Sequence, residues 1–112
     1  MLKFRILQIK DIANTGYAFR GYDADRFNLP DYVEVYAGEV DEQLFPVMKY
    51  PELYDLAVLG KDVAEACFRK FNYDRPEDFK GHSLSMSDLV EVSNENKTRL
   101  YYCDMSGWVR IK

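Results

Sequence analysis

A single histidine, His82, is all the imidazole in this 112-residue chain. That shortage removes every metal site built on two or more histidines. The acids and thiols do not make up for it: Asp78, Asp88, Asp104, Cys67 and Cys103 are scattered without zinc-ligand spacing. No metal and no cofactor is expected. Glycine is sparse, at six residues, and forms neither a phosphate-cradling loop nor a dinucleotide turn. No run of Lys or Arg occurs, which leaves out a groove tracking phosphates, so nucleic acid is not the expected direct ligand. Apolar runs are short. Met1-Leu2-Lys3-Phe4-Arg5-Ile6-Leu7 has charges inside it and reads as neither a leader peptide nor a membrane span. The two cysteines, Cys67 on an expected helix and Cys103 in an expected strand, fit buried thiols of a reducing compartment, and nothing favours a bridge between them. A cytoplasmic location is expected.

What the chain has in excess is aromatic area: nine Tyr, seven Phe and one Trp. A tyrosine pairs apolar surface with a hydroxyl and sits well at half-buried edges. Packing in a small β-rich core is the first reading, ahead of a tyrosine-rich binding face. At 47% hydrophobic and 30% charged the composition is globular, which excludes a disordered chain. Size scaling has a chain of this length bury about two-thirds of its surface in one domain, residues 1–112. A net charge of −4 suits solubility and identifies no partner.

Periodicity supplies the elements. Leu2, Phe4 and Ile6 alternate with Lys3 and Arg5, and Leu7 and Ile9 continue the strand. Asn14-Thr15-Gly16 reads as a turn, Tyr17 to Gly21 as a short second strand, and Asp23 to Asn28 as one helical turn before Leu29-Pro30. Tyr32-Val33-Glu34-Val35-Tyr36 alternates cleanly, which puts Val33 and Val35 on one face. Pro51 suits the start of a short helix to about Leu59, with Gly60 as its C-terminal cap. A second helix then runs from about Asp62 to Asn72, with Asp62 as cap and Glu65 three residues on. Its apolar stripe is Val63, Ala64, Cys67, Phe68 and Phe71. The last third reads as a meander of strands at Leu89–Ser93, Leu100–Asp104 and Trp108–Ile111, with Gly107 holding a positive φ in the final turn. The expected fold is α+β: a mainly antiparallel sheet of four to six strands, one principal helix across one face, and a C-terminal β-meander.

The stretch Ser83-Leu84-Ser85-Met86-Ser87-Asp88 departs from this regularity. If residues 83–92 are extended, Leu84, Met86, Val90 and Val92 share one face, and Ser83, Ser85, Ser87 and Glu91 the solvated one. Asp88 then lands on the apolar face. Either the strand bends there and turns the carboxylate out, or the carboxylate points inward and is satisfied by backbone N–H or Ser hydroxyl groups. Both put Asp88 in a structural role, and its loss is expected to lower stability.

A set of short motifs runs in order through the C-terminal half: Phe71-Asn72, Arg75-Pro76-Glu77-Asp78-Phe79, Gly81-His82-Ser83-Leu84-Ser85-Met86-Ser87-Asp88-Leu89-Val90, Tyr101-Tyr102-Cys103-Asp104 and Gly107-Trp108. By these residues the C-terminal half resembles the YodL domain family. Earlier, Tyr36-Ala37-Gly38-Glu39-Val40 is similar to the family's Tyr-x-Gly-x-Val segment. Met86, Leu89, Cys103 and Trp108 replace the usual Val, Val, Val and Phe, each apolar for apolar. The likeness covers roughly residues 32–112. It implies an accessory domain of the kind found in Gram-positive bacteria, alone or inside large proteins of phages and conjugative elements, acting by binding a host or element protein. No catalytic residues come with it.

The expected function is therefore a non-catalytic protein-interaction module that is a monomer or weak homo-oligomer away from membranes. Its candidate contact groups are His82, Ser83, Ser85, Ser87, Asp88, Tyr32 and Tyr36, with Asp88, Gly81, Asp104, Gly107 and Trp108 in structural roles. Two rivals stand beside it. One is an inhibitor of a host defence or nucleic-acid enzyme through an acidic face of Asp23, Asp25, Glu39, Asp41 and Glu42. The other is a small hydrolase using His82 and the Ser/Asp stretch. Against the hydrolase, adjacent His82 and Ser83 point apart in an extended segment, and no Gly-x-Ser-x-Gly elbow is present.

Overall fold

The computed structural model describes residues 2–40 and 56–112. Its strands are β1 (Lys3–Ile9), β2 (Tyr32–Glu39), β3 (Leu89–Ser93), β4 (Thr98–Asp104) and β5 (Gly107–Arg110), with one helix, α1 (Leu56–Tyr73). They form a five-stranded antiparallel sheet in the order β2-β1-β3-β4-β5. The β3–β4–β5 meander lies where its periodicity predicts, and Gly107 has φ +133°. Asn94 shapes the β3–β4 turn, its side-chain oxygen accepting from Asn96 N–H and Lys97 N–H.

β1 is an interior strand, between β2 and β3, and is buried on both faces. Phe4 and Ile6 join the core under α1, with Val90, Val92, Tyr101 and Cys103. Leu7 and Ile9 join the opposite face, with Tyr32, Leu89, Leu100 and Tyr102. That second face is covered by residues 10–31, which carry two short 3-10 turns (Ile12–Asn14 and Leu29–Asp31) and the single turn expected after Asp23. Tyrosine hydroxyls tie this cover down. Tyr102 donates to the Arg20 carbonyl at 2.7 Å, and Tyr17 donates to Asp31 at 2.8 Å. Burial, then the Asp31 hydrogen bond, pushes the Tyr17 hydroxyl up to about 12.

Three expectations are corrected. Tyr17 to Gly21 is not a strand but a run of turns, with Ala18 N–H on the Thr15 carbonyl, Arg20 N–H on that of Tyr17, and Phe19 at φ +62°. The alternation of β2 is interrupted: Ile6 pairs with Tyr36 but Leu7 pairs with Glu34, leaving Val35 as a bulge. The extra residue turns Tyr36 toward α1 while Tyr32 stays on the opposite face, so Val33 is exposed although Val35 packs into the core. Third, the two predicted helices are one. Gly60 lies inside α1 and caps nothing, nor does Asp62 begin it; the expected start at Pro51 lies outside the described residues. The stripe of Val63, Ala64, Cys67, Phe68 and Phe71 does face the sheet, joined by Ala66.

Gly60 is a close-approach residue. A Cβ there would collide with the Tyr101 phenol, whose ring is itself buried against the core. Gly60→Ala gains about 1 kcal/mol of helix propensity, but overpacking costs about 1–3 kcal/mol. The variant is expected to melt below the wild type; an equal or higher Tm would show that α1 can move off β4.

Candidate functional site

Leu84 to Met86 alternates like a strand but pairs with no strand among the described residues. Two side-chain amides hold this region in place of a neighbouring strand. Gln8, buried on β1, accepts from His82 N–H at 3.1 Å and donates to the His82 carbonyl at 2.9 Å. Asn72, near the end of α1, accepts from Leu84 N–H at 2.6 Å and donates to the Leu84 carbonyl at 3.1 Å. Gly81 lets the chain approach closely enough, since a Cβ there would overlap Gln8 Oε1 and lie 2.7 Å from the Phe79 ring. Backbone groups that would otherwise be buried without partners are thereby satisfied.

The chain then turns sharply. Ser87 has φ +78°, and Asp88 N–H bonds the Ser85 carbonyl at 3.1 Å. Asp88 returns the bond through its side chain and is 1% exposed. Its Oδ2 accepts from Ser85 N–H at 2.9 Å and from Gln8 Nε2 at 3.1 Å, while Oδ1 faces His82 Nε2 at 3.9 Å. The inward reading of Asp88 holds and the outward one does not: the backbone bends at Ser87, yet the carboxylate stays inward and hydrogen-bonded. Burial lifts the carboxyl from its ordinary 3.8 to about 7, against the opposing pull of the Ser85 N–H, His82 and Gln8.

His82 is about one-third exposed. Its Nδ1 lies 2.7 Å from the Ser83 carbonyl. A carbonyl only accepts, so Nδ1 carries a hydrogen, and in the neutral ring Nε2 presents its lone pair toward Asp88. The 3.4 Å approach of Gln8 Nε2 to the same nitrogen is then a contact and not a hydrogen bond, because the Gln8 amide hydrogens are used by the His82 carbonyl and Asp88.

Against the other side of the imidazole stands Phe19, with ring centroids 5.8 Å apart in an edge geometry. Phe19 and Ser87 are the two non-glycine residues at positive φ among those described, and they are hydrogen-bonded to each other: Phe19 N–H donates to Ser87 Oγ at 2.9 Å. Such backbone costs about 1–3 kcal/mol per residue and persists where the surroundings impose it. Here they impose it on a phenyl ring that is 47% exposed.

The predicted contact groups divide accordingly. His82, Ser85, Ser87 and Asp88 come together. Ser83 is exposed beside them and accepts from Arg75 Nη2 at 2.9 Å. Ser87 is buried and not on a solvated face. The tyrosines are not exposed contacts: Tyr32 is buried and donates to the Ser87 carbonyl at 2.5 Å, and Tyr36 packs on Phe71, centroids 4.9 Å apart. Asp104 closes the β4–β5 turn by accepting from Met105 N–H at 2.7 Å, and Trp108 packs on Phe68 in the core. None of the serine hydroxyls is bonded to the imidazole among the described residues: Ser85 Oγ donates to the Ser83 carbonyl, and the other two accept from Arg75 and Phe19. No group of three or more His, Cys, Asp or Glu there has metal-binding geometry. Of the acidic face, Asp41 and Glu42 lie outside the described residues. Asp23 and Asp25 sit in the cover near the Ile9 end of β1, whereas Glu39 pairs with Lys3 at the other end. Gln8, Phe19 and Asn72 were not among the expected site residues. Gln8 had a signal, a polar side chain within an otherwise apolar run; Phe19 had none.

The model of the YodL-like domain matches residues 3–112. The chain belongs to the YodL-like domain family. The match reaches well before Tyr32, where the recognisable motifs begin, and takes in β1 with Gln8 and the segment carrying Phe19. No curated protein and no solved structure matches the chain. In this YodL-like domain the Gly81–Val90 motif is the amide-held loop, its turn and the start of β3. Tyr101–Asp104 lies in β4, where the backbone of Cys103 pairs with Ser87 and Asp88. The family pattern therefore marks the frame of the site. No described helix is long and apolar enough to cross a membrane.

Proposed function

We propose that this YodL-like domain is a non-catalytic, cytoplasmic interaction module of mobile-element type that docks a host or element protein on the surface where Phe19 meets His82. The observation that carries the reading is the held phenyl ring. Two strained residues brace each other so that a large apolar side chain stands half in water beside an imidazole, with Ser83 and Arg75 at its polar margin. Rigid aromatics of this kind serve as interface anchors because little side-chain entropy is lost when they are covered. Nothing in the placement of Asp23, Asp25 and Glu39 favours the acidic-face inhibitor.

The test uses Phe19→Ala. A partner captured by the wild type and by the control Tyr73→Ala, then reconstituted from purified components, should bind Phe19→Ala about thirty-fold or more weakly, as for an anchor worth at least 2 kcal/mol. The variant's Tm should not fall, because the strain at residue 19 remains and the ring covers little core. Binding through this apolar contact should also persist at moderate salt, where a charge-based complex weakens steeply. Capture that is indifferent to Phe19 would sink the proposal.

A further inference from the structure

We infer that Asp88 and His82 form a proton-operated latch on this surface. One proton carried by this pair, whose facing atoms Asp88 Oδ1 and His82 Nε2 lie 3.9 Å apart, keeps the 81–88 loop closed beside Phe19, and losing it loosens both. The geometry calls for that proton. With Nδ1–H committed to the Ser83 carbonyl at 2.7 Å, the neutral ring presents Nε2 as a lone pair across the 3.9 Å gap to Oδ1. Oδ2 already takes its two donors, Ser85 N–H and Gln8 Nε2. Without that proton, a buried carboxylate faces a nitrogen lone pair, which is repulsive. With one, the pair is a neutral acid against a neutral ring or an ion pair, attractive in either case.

Other groups near Asp88 do not compete for the proton. Gln8 from β1 is uncharged, and burial holds Tyr32 of β2 and Tyr102 of β4 far above neutral pH. Burial lifts Cys103 of β4 to about 12. Among the described groups, His82 is the one charge that acts on Asp88. The loop ends at Ser87, which bonds Phe19 N–H, and His82 packs on the Phe19 ring. A shift in either residue is therefore felt at the ring. The consequence for partner binding rests on the reading above; the latch itself belongs to the isolated chain.

The test is an NMR pH titration of the isolated, isotope-labelled protein from pH 5 to 9. The Asp88 carboxyl carbon and the Phe19 and Ser87 amides should move in one step with a midpoint near 7. In Asp88→Asn, which has no carboxyl proton to lose, the Phe19 step at the carboxyl's midpoint should vanish. The latch is overturned if the carboxyl is already fully ionised at pH 5, if the two amides stay flat through its step, or if Asp88→Asn keeps the Phe19 step unchanged. Should that variant not fold, the wild-type traces decide alone. Failure here leaves the Phe19→Ala binding test standing, and failure of that test leaves this titration standing.

Discussion

Replacing Phe71 by alanine is expected to lower the unfolding free energy by about 3–5 kcal/mol, a large part of what a domain of this size has. Phe71 is fully buried on α1, but burial alone does not set its weight. Its ring meets Phe79 edge-on with centroids 5.0 Å apart, Tyr36 at 4.9 Å and Phe4 at 6.0 Å. One side chain thus joins the helix to β1, to β2 and to the turn after Pro76. These neighbours are large rings fixed by the sheet and by one another, so they cannot collapse into the vacated space, and the cavity cost adds to the lost transfer energy. Chemical denaturation of the purified variant measures the difference. A loss below about 1 kcal/mol would mean that the joint repacks, and that the helix is held mainly by Val63, Ala64 and Cys67.

The second large effect depends on pH. Folded, the Asp88 carboxyl keeps its proton to about pH 7; unfolded, it releases it near its ordinary 3.8. The folded state therefore binds more protons throughout that window, and stability falls as pH rises through it. At 1.36 kcal/mol per pH unit the loss reaches about 4 kcal/mol above pH 7, less whatever the facing His82 returns. Asp88→Asn keeps an acceptor for Ser85 N–H and Gln8 Nε2 and has no proton to lose. Its stability relative to wild type should be similar near pH 4 and should climb by a few kcal/mol up to about pH 7. Asp88→Ala removes the acceptor and leaves those two donors unpaired, at about 1–3 kcal/mol each, so it should lie below Asn at every pH. Paired melts of wild type and Asp88→Asn across pH 4–8 check the sign. A difference that does not change with pH would refute it.

Much of the frame was legible beforehand. Period-two alternation placed β1, β3, β4 and β5, because each buries side chains on a sheet face and the pattern states which. The stripe Val63 to Phe71 located the helix for the same reason. The misreadings share a cause: local rules were overridden by a contact made far along the chain. Gly60 looks like a cap until Tyr101 is seen to occupy the place of its Cβ. Leu84-Ser85-Met86 looks extended and paired, but the groups pairing with this loop are the side chains of Gln8 and Asn72. Tyr32 and Tyr36 share a phase in sequence, and the bulge at Val35 separates them. Phe19 is the extreme case, since nothing in a single sequence indicates that a phenylalanine will be held left-handed by a serine 68 residues away.

The place of β1 has a consequence for the order of assembly. The most N-terminal of the described strands is the one that joins β2 to the rest of the sheet, pairing outward with residues 32–39 and inward with residues 89–93. Until residues 89–93 are made, β1 can pair among the described strands only with β2, and such a hairpin is too little to be independently stable. Ordering is then a late event that closes a loop of some eighty residues. Pairings this distant make for folding on the slow side of the range for small domains.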